Sequence, residues 1–324
     1  MILWSDCLVL TKSSLVRIIA RPSTIDRFKQ VFDMDSRRFP RSFEWTAPGE
    51  HRAKRRAFVA VSIIYLVFSG LSLGLFALWI GFSYLLYCIL ETRIQGDCAR
   101  LGPQQMPEVF FLMQDLARDM KVPMPDLYIT EDDDPLPVYT ISLARPTLVV
   151  HSDYARKLNT DELKFFIAHE LAHVKAGHLR VLSVLNVLEA HPPVSRWLTT
   201  PLELVRWAFR PWALKADETA DRMALAAVGA DLDIASAVLA KVAAGVEIGN
   251  RINPSAFREQ ARELKTGWMV WVNEMLYNRN LTARRLQLLE QLQPQLIVSL
   301  DEPEKPGRLE RIRQHLLPAR AASS

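Results

Sequence analysis

The stretch that most constrains this chain is His169-Glu170-Leu171-Ala172-His173, because side chains four residues apart can act together only if the segment is helical. It sits in the largely apolar run from Leu163 to Leu188, and Asn159-Thr160-Asp161-Glu162 just upstream supplies an N-terminal cap. At roughly 100° per residue the two imidazoles stand one turn apart on one face and can reach a single metal ion, with Glu170 beside it. Phe165, Phe166, Ile167, Leu171 and Val174 flank the motif, which predicts a buried helix rather than a solvated one. His178 lies about 180° from His169 around a continuous helix and is expected to face away from the metal.

Residue types explain the chemistry. HExxH on a helix is a zinc metallopeptidase arrangement, in which two neutral imidazoles need a third protein ligand and the open position holds a water whose pKa falls toward ~7. Glu170 would take that water's proton and later deliver it to the leaving amine. The bland alternative is a surface helix with two solvated histidines, which the apolar flanks argue against. The third ligand is expected from a second helical stretch, about Leu202 to Val228, that carries the polar cluster Asp217-Glu218-Thr219-Ala220-Asp221-Arg222. Asp217 and Glu218 are rivals for the role, roughly 100° apart on that helix. Asp221, four residues after Asp217 and on the same face, can accept the free N–H of a ligating histidine, the ordinary alternative being an ion pair with a basic neighbour.

The rest of the 324 residues set the surroundings. Cys7, Cys88 and Cys98 show no metal spacing and cannot all pair within one chain, which suits a reducing compartment. The net charge of +4 needs no nucleic acid to explain it, and no nucleic-acid motif is present. Residues 1–57 read as a basic N-terminal segment: from Ser36 to Arg56 there are seven Lys or Arg against two Glu. Phe58 to Leu90 then runs for 33 residues without a charge and is expected to be the membrane segment. As one helix it would be about 50 Å long against a hydrocarbon core of about 30 Å, so a hairpin with its apex at Ser69-Gly70-Leu71-Ser72-Leu73-Gly74 is the expected solution. The basic cluster before it then lies in the cytosol. Residues 91–297 read as the folded domain, with a helix from Pro107 to about Lys121 and short strands at Leu127–Thr130, Val138–Ser142 and Thr147–Ser152. Leu198 to Leu214, which carries Arg206 and Arg210, is too charged for an easy span. Asp231 to Ala244 and Pro254 to Tyr277 read as further helices, and 298–324 as a disordered tail.

The segment from His169 to His178, followed by Ala220-Asp221-Arg222 with Trp212 upstream, resembles the membrane-associated gluzincin peptidases of the HtpX and CAAX prenyl protease family, where HExxH precedes a helix carrying ExxAD. That resemblance implies zinc as cofactor and two membrane helices near residues 58–90. It aligns Asp217 with the family's zinc-binding Glu, a departure that requires the helix to approach about 1.5 Å closer for the same bond length. Pro137-Val138-Tyr139 stands near where relatives often carry Asn-Ala, and Arg279-Asn280 replaces a His-Pro pair before Arg284 and Arg285. In zinc peptidases of this design an edge strand pairs with the extended substrate, and Thr147, Leu148, Val149 and Val150 are the candidates by position. The expectation is a mostly helical α+β zincin anchored in a membrane, multi-pass, in a bacterial inner membrane with its catalytic domain cytoplasmic. Its partners would be a protein or peptide substrate and the lipid bilayer. The alternative is a peptidase-like scaffold or adaptor with impaired hydrolysis.

Overall fold

The computed structural model describes residues 39, 43–71, 81, 85, 88–89, 92, 94–131, 138–141, 145–189, 196–265, 267–277 and 280–301. The first described helix, α1 (Glu50–Leu71), opens with the basic cluster and runs into the apolar segment. A two-residue strand β1 (Ala99–Arg100) follows, then α2 (Pro107–Met120), whose Val109, Leu112, Met113, Leu116 and Met120 recur at helical spacing and are all buried. Next come β2 (Asp126–Thr130), β3 (Val138–Ile141) and β4 (Thr147–His151). After a short α3 (Ser152–Lys157) the chain enters α4 (Thr160–Lys175), which bears the HExxH motif.

The sheet order is β1-β2-β4-β3, with β2 and β4 parallel and the two outer pairs antiparallel. This corrects one expectation. Thr147, Leu148, Val149 and Val150 are fully occupied by neighbours, β2 on one side and β3 on the other, so β4 has no edge to offer a substrate. A strand whose residues are buried on both faces reads as a continuous apolar run, and that run, Leu-Val-Val, marks an interior strand. The strand bordering α4 is β3, and no strand pairs with its outer side among the described residues.

α4 begins with a reciprocal capping box: the Asn159 side chain accepts from the Glu162 N–H at 2.9 Å, and Glu162 accepts from the Asn159 N–H at 3.0 Å. It ends at Lys175, short of the apolar run's end at Leu188. Gly177, at φ 68°, turns the chain before α5 (Leu179–Glu189). The long helix α6 (Arg196–Ala227) then packs along both α4 and α1. Ala57 of α1, Leu185 of α5, and Phe209, Trp212 and Ala216 of α6 form one buried cluster, so the start of α1 belongs to the core. The remaining helices are α7 (Leu232–Ala244), α8 (Val246–Gly249), α9 (Pro254–Glu263), α10 (Trp268–Tyr277) and α11 (Thr282–Asp301). The single helix expected from Pro254 to Tyr277 is two, divided after Glu263. α8 folds back on α7 so closely that a Cβ at Gly249 would meet the Lys241 Cα at 2.5 Å, which leaves glycine as the residue that fits.

Among the described residues no helix is long and apolar enough to cross a membrane. The expected span from Phe58 is described continuously as far as Leu71; residues 72–80, and with them part of the proposed apex, lie outside the described residues, as do residues 1–38 and the tail from 302.

Lys241 of α7 reaches the capping Glu162 of α4, and both side chains are nearly inaccessible. Removing one member of such a pair strands the other charge in the core. Lys241→Met is therefore expected to lower the unfolding free energy by roughly 3–5 kcal/mol. Adding Glu162→Gln, which keeps a capping side chain, should recover more than half of that loss in the same denaturant titration.

Candidate metal centre

α4 and α6 lie side by side and bring together residues far apart in sequence. His169 and His173 point the same way, with their Nε2 atoms 3.3 Å apart, and the Asp217 Oδ1 lies 3.7 Å from the His173 Nε2. One donor atom from each of these three residues falls within 4.8 Å of the others. Around a zinc ion with bonds of about 2.0–2.1 Å, tetrahedral corners are about 3.3–3.4 Å apart, so the two imidazoles already have the spacing of neighbouring ligands. Two nitrogens and a carboxylate oxygen are the protein donor set of a catalytic zinc site, and these residues fit the ion.

Glu218, the rival of Asp217, is not in this group. Its two oxygens accept from Lys215 Nζ at 2.6 Å and from Arg222 Nη2 at 3.2 Å. Asp217, by contrast, keeps 38% of its side-chain exposure and receives a long hydrogen bond from Asn280 Nδ2 at 3.4 Å, while that amide also donates to the Leu214 carbonyl at 3.0 Å. Desolvation by the surrounding protein raises the Asp217 pKa above its ordinary value.

Each histidine is fixed from behind. His169 Nδ1 lies 2.9 Å from Asp221 Oδ1, and Arg285 of α11 grips Asp221 through Nε at 2.7 Å and Nη2 at 2.6 Å. Burial alone would raise the Asp221 pKa, but the guanidinium beside it holds the carboxyl far below the usual range. Burial likewise acts to lower His169, and the Asp221 carboxylate outweighs it and raises the pKa. His173 is driven well below the ordinary histidine value, first by burial and then by repulsion from His169 and His178, which favours the neutral form a metal requires. Its Nδ1 lies 3.1 Å from the His178 Nδ1.

His178 is not in the donor group and sits on the Nδ1 side of His173, away from the Nε2 that faces His169 and Asp217, but helical phase is not the reason. α4 stops three residues earlier, and the Gly177 turn brings the ring back against His173. Glu170 extends beside the histidines, with the Thr140 Oγ1 of β3 donating to its Oε2 at 2.8 Å. Burial raises the Glu170 pKa against the opposing pull of His169 and Thr140. Thr140, Glu50 and the role of Thr219 escaped the reading from sequence, as did the contact of His178 with His173, since nothing local distinguishes them. A cavity of about 550 Å³ lies on the Asp221 and Arg285 side, bordered also by Glu218, Asn280 and Leu288. It touches neither of the two histidines nor Glu170, so it is not the space in front of the donor set.

The sequence model described as peptidase family M48 matches residues 103–291, more than half of the chain. The plastoglobule-localized metallopeptidase 48, chloroplastic, of Arabidopsis thaliana is 32% identical over 177 residues, covering 52% of this chain and 49% of its own. A protease HtpX homolog of Streptococcus gordonii is 28% identical over 114 residues, 34% of this chain and 38% of its own. Another, from Leuconostoc mesenteroides, is 28% identical over 141 residues, 41% and 48%. The chain thus spans about half the length, or less, of these curated relatives. No solved structure matches it significantly.

The geometry predicts about one zinc per purified chain, lost in His169→Ala and in Asp217→Ala and kept in Glu218→Ala. Metal analysis of the three variants by mass spectrometry is the measurement; zinc retained by Asp217→Ala and lost by Glu218→Ala would move the ligand by one residue.

Proposed function

The chain belongs to peptidase family M48, and on that premise we propose that it is a membrane-anchored, zinc-dependent endopeptidase with Glu170 as general base. The observation that carries the reading is the convergence of His169, His173 and Asp217 on one point with Glu170 beside them. The same convergence speaks against the scaffold alternative where that alternative rests on Asp217 in place of a Glu; its other ground is the missing Asn-Ala pair. Zinc bound by those three residues would lower the pKa of a water toward ~7 and polarise the scissile carbonyl.

The residues of the chain divide the remaining work. Glu170 accepts a proton from the attacking water and passes it to the amine that leaves, so a peptide and a water become a carboxylate and an amine. A raised pKa suits that task, because the carboxyl must hold the proton between the two transfers. The Thr140 hydroxyl anchors one carboxylate oxygen and fixes its orientation. Asp221 and Arg285 hold the His169 ring with its Nε2 toward the metal. β3, which carries Thr140 and has an outer side that no described strand occupies, replaces β4 as the strand that would pair with an extended peptide.

For the anchor, the support is the outer face of α1. Val59, Ile63, Leu66 and Val67 are exposed on the side of the helix turned from the core, an apolar strip that water does not favour. On this reading the basic residues before it lie on the cytosolic side, the side on which the hairpin expected from the sequence would also leave the rest of the chain. In a bacterial cell this puts the peptidase domain at the cytoplasmic face of the inner membrane.

Glu170→Gln should keep its zinc and lose roughly 10²–10⁴-fold in casein cleavage, measured beside metal content on the same preparation. Undiminished cleavage would remove Glu170 from its role. A single cysteine added after Ser324 in a chain lacking Cys7, Cys88 and Cys98 should resist labelling from outside intact cells, whereas efficient labelling would mean one crossing rather than two.

A further inference from the structure

The support behind His173 does not end at His178. The His178 Nε2 lies 2.8 Å from the Glu50 Oε1, the Thr219 Oγ1 donates to the Glu50 Oε2 at 2.5 Å, and the Ala47 N–H donates to the Thr219 Oγ1 at 2.7 Å. All of these side chains are buried: His178 and Thr219 are 1% exposed, Glu50 and His173 4%. Burial acts to raise the Glu50 pKa, yet the hydrogen bonds from His178 and Thr219 prevail and hold the carboxyl below its ordinary value. A buried carboxylate in the first turn of a helix whose next residues are basic and exposed thus has its partners in the interior rather than among its neighbours in sequence.

The hydrogens of this chain of contacts can be assigned. If the His173 Nε2 offers its lone pair to a metal, the ring's hydrogen sits on Nδ1 and is donated to the His178 Nδ1. His178 then carries its own hydrogen on Nε2 and donates it to Glu50. Thr219 donates to the other carboxylate oxygen, so every hydrogen points toward Glu50 and none collides with another. Without an acceptor at position 50, His178 is free to carry its hydrogen on Nδ1 instead. It would then donate to the His173 Nδ1 and leave His173 with a hydrogen on Nε2, where the metal must bind.

We propose that Glu50 is a positioning residue for the metal site, acting through His178 to select the ligating tautomer of His173. This rests on the reading of His173 as a ligand. Glu50 lies outside residues 103–291, whereas Asp221 and Arg285, which hold His169, lie inside them. The two ligating rings are therefore held by separate structures, one within the peptidase domain and one reaching it from α1.

The test is the zinc dissociation constant of the detergent-purified full chain, measured by competition with a chelating dye. Partners of this kind typically change metal affinity 10–100-fold, so Glu50→Ala and His178→Phe should each weaken zinc by that factor. Glu50→Gln, whose amide oxygen still accepts from His178, should restore affinity to within several-fold of the native chain. The unfolding midpoint of the metal-free protein shows whether each variant is folded. Should Glu50→Ala fail to fold, Glu50→Met combined with His178→Phe, which leaves no stranded charge, replaces it and is expected to show the same loss. Folded variants that bind zinc within threefold of the native chain would overturn the proposal. His173→Ala included in the series separates the two claims: zinc retained there would remove the ligand assignment itself.

Discussion

Three donor groups with their lone pairs aimed at one point repel one another, and a chain must hold them there by contacts made on their far sides. Much of this structure follows from that requirement. Two histidines one turn apart would be free to swing on an isolated helix, but here each Nδ1 has a partner, Asp221 for one ring and His178 for the other. Those partners are themselves held, by Arg285 and by Glu50. The site is thus two polar columns running back into the protein from a common tip.

The columns place heavy demands on packing. Asp221 is almost fully buried, and its charge is tolerable only because Arg285 meets it with two N–H groups. The same logic governs Glu162 and Lys241, where a cap of the metal-bearing helix doubles as half of a buried ion pair. α6 joins these features, since one helix carries Trp212 into the buried cluster with α1 and α5, Asp217 toward the histidines, Thr219 toward Glu50, and Asp221 toward His169. Residues four or seven apart share a face at about 100° per residue, so Trp212 and Thr219 lie on one side of this helix and Asp217 and Asp221 on another.

How much of this can be read from residues alone depends on distance along the chain. The HExxH helix, its cap and the shared face of Asp217 and Asp221 rest on spacings of three to five residues, where helical geometry is a reliable guide, while the role of Asp217 came from the family resemblance. The choice between Asp217 and Glu218 needed more: both are carboxylates, and what separates them in space is that Lys215 and Arg222 engage Glu218. The edge strand was misassigned because β4 and β3 are told apart by which strands pair with them, and pairing is not a local property. His178 stays out of the donor group, but its position follows from the turn at Gly177, where α4 has already ended, and not from helical phase. Glu50 lay beyond reach altogether, its partner Thr219 being 169 residues away and its sequence neighbours suggesting nothing but a basic surface.

The packing of α1 bears on what counts as a unit in this protein. Ala57 is buried with Phe209 and Trp212, and the turn before it feeds a hydrogen-bonded column into the interior. A helix of this kind is usually regarded as a tether, a part that fixes location and could be exchanged or cut away. Here the segment recognisable as a peptidase, residues 103–291, is not self-contained, because a wall of the cluster around Phe209 and Trp212 and one end of its polar interior are supplied from upstream. Trimming the chain to its recognisable region would open an apolar face and strip the backing from His178, so the boundary suggested by sequence likeness runs through the middle of a folded body rather than around it.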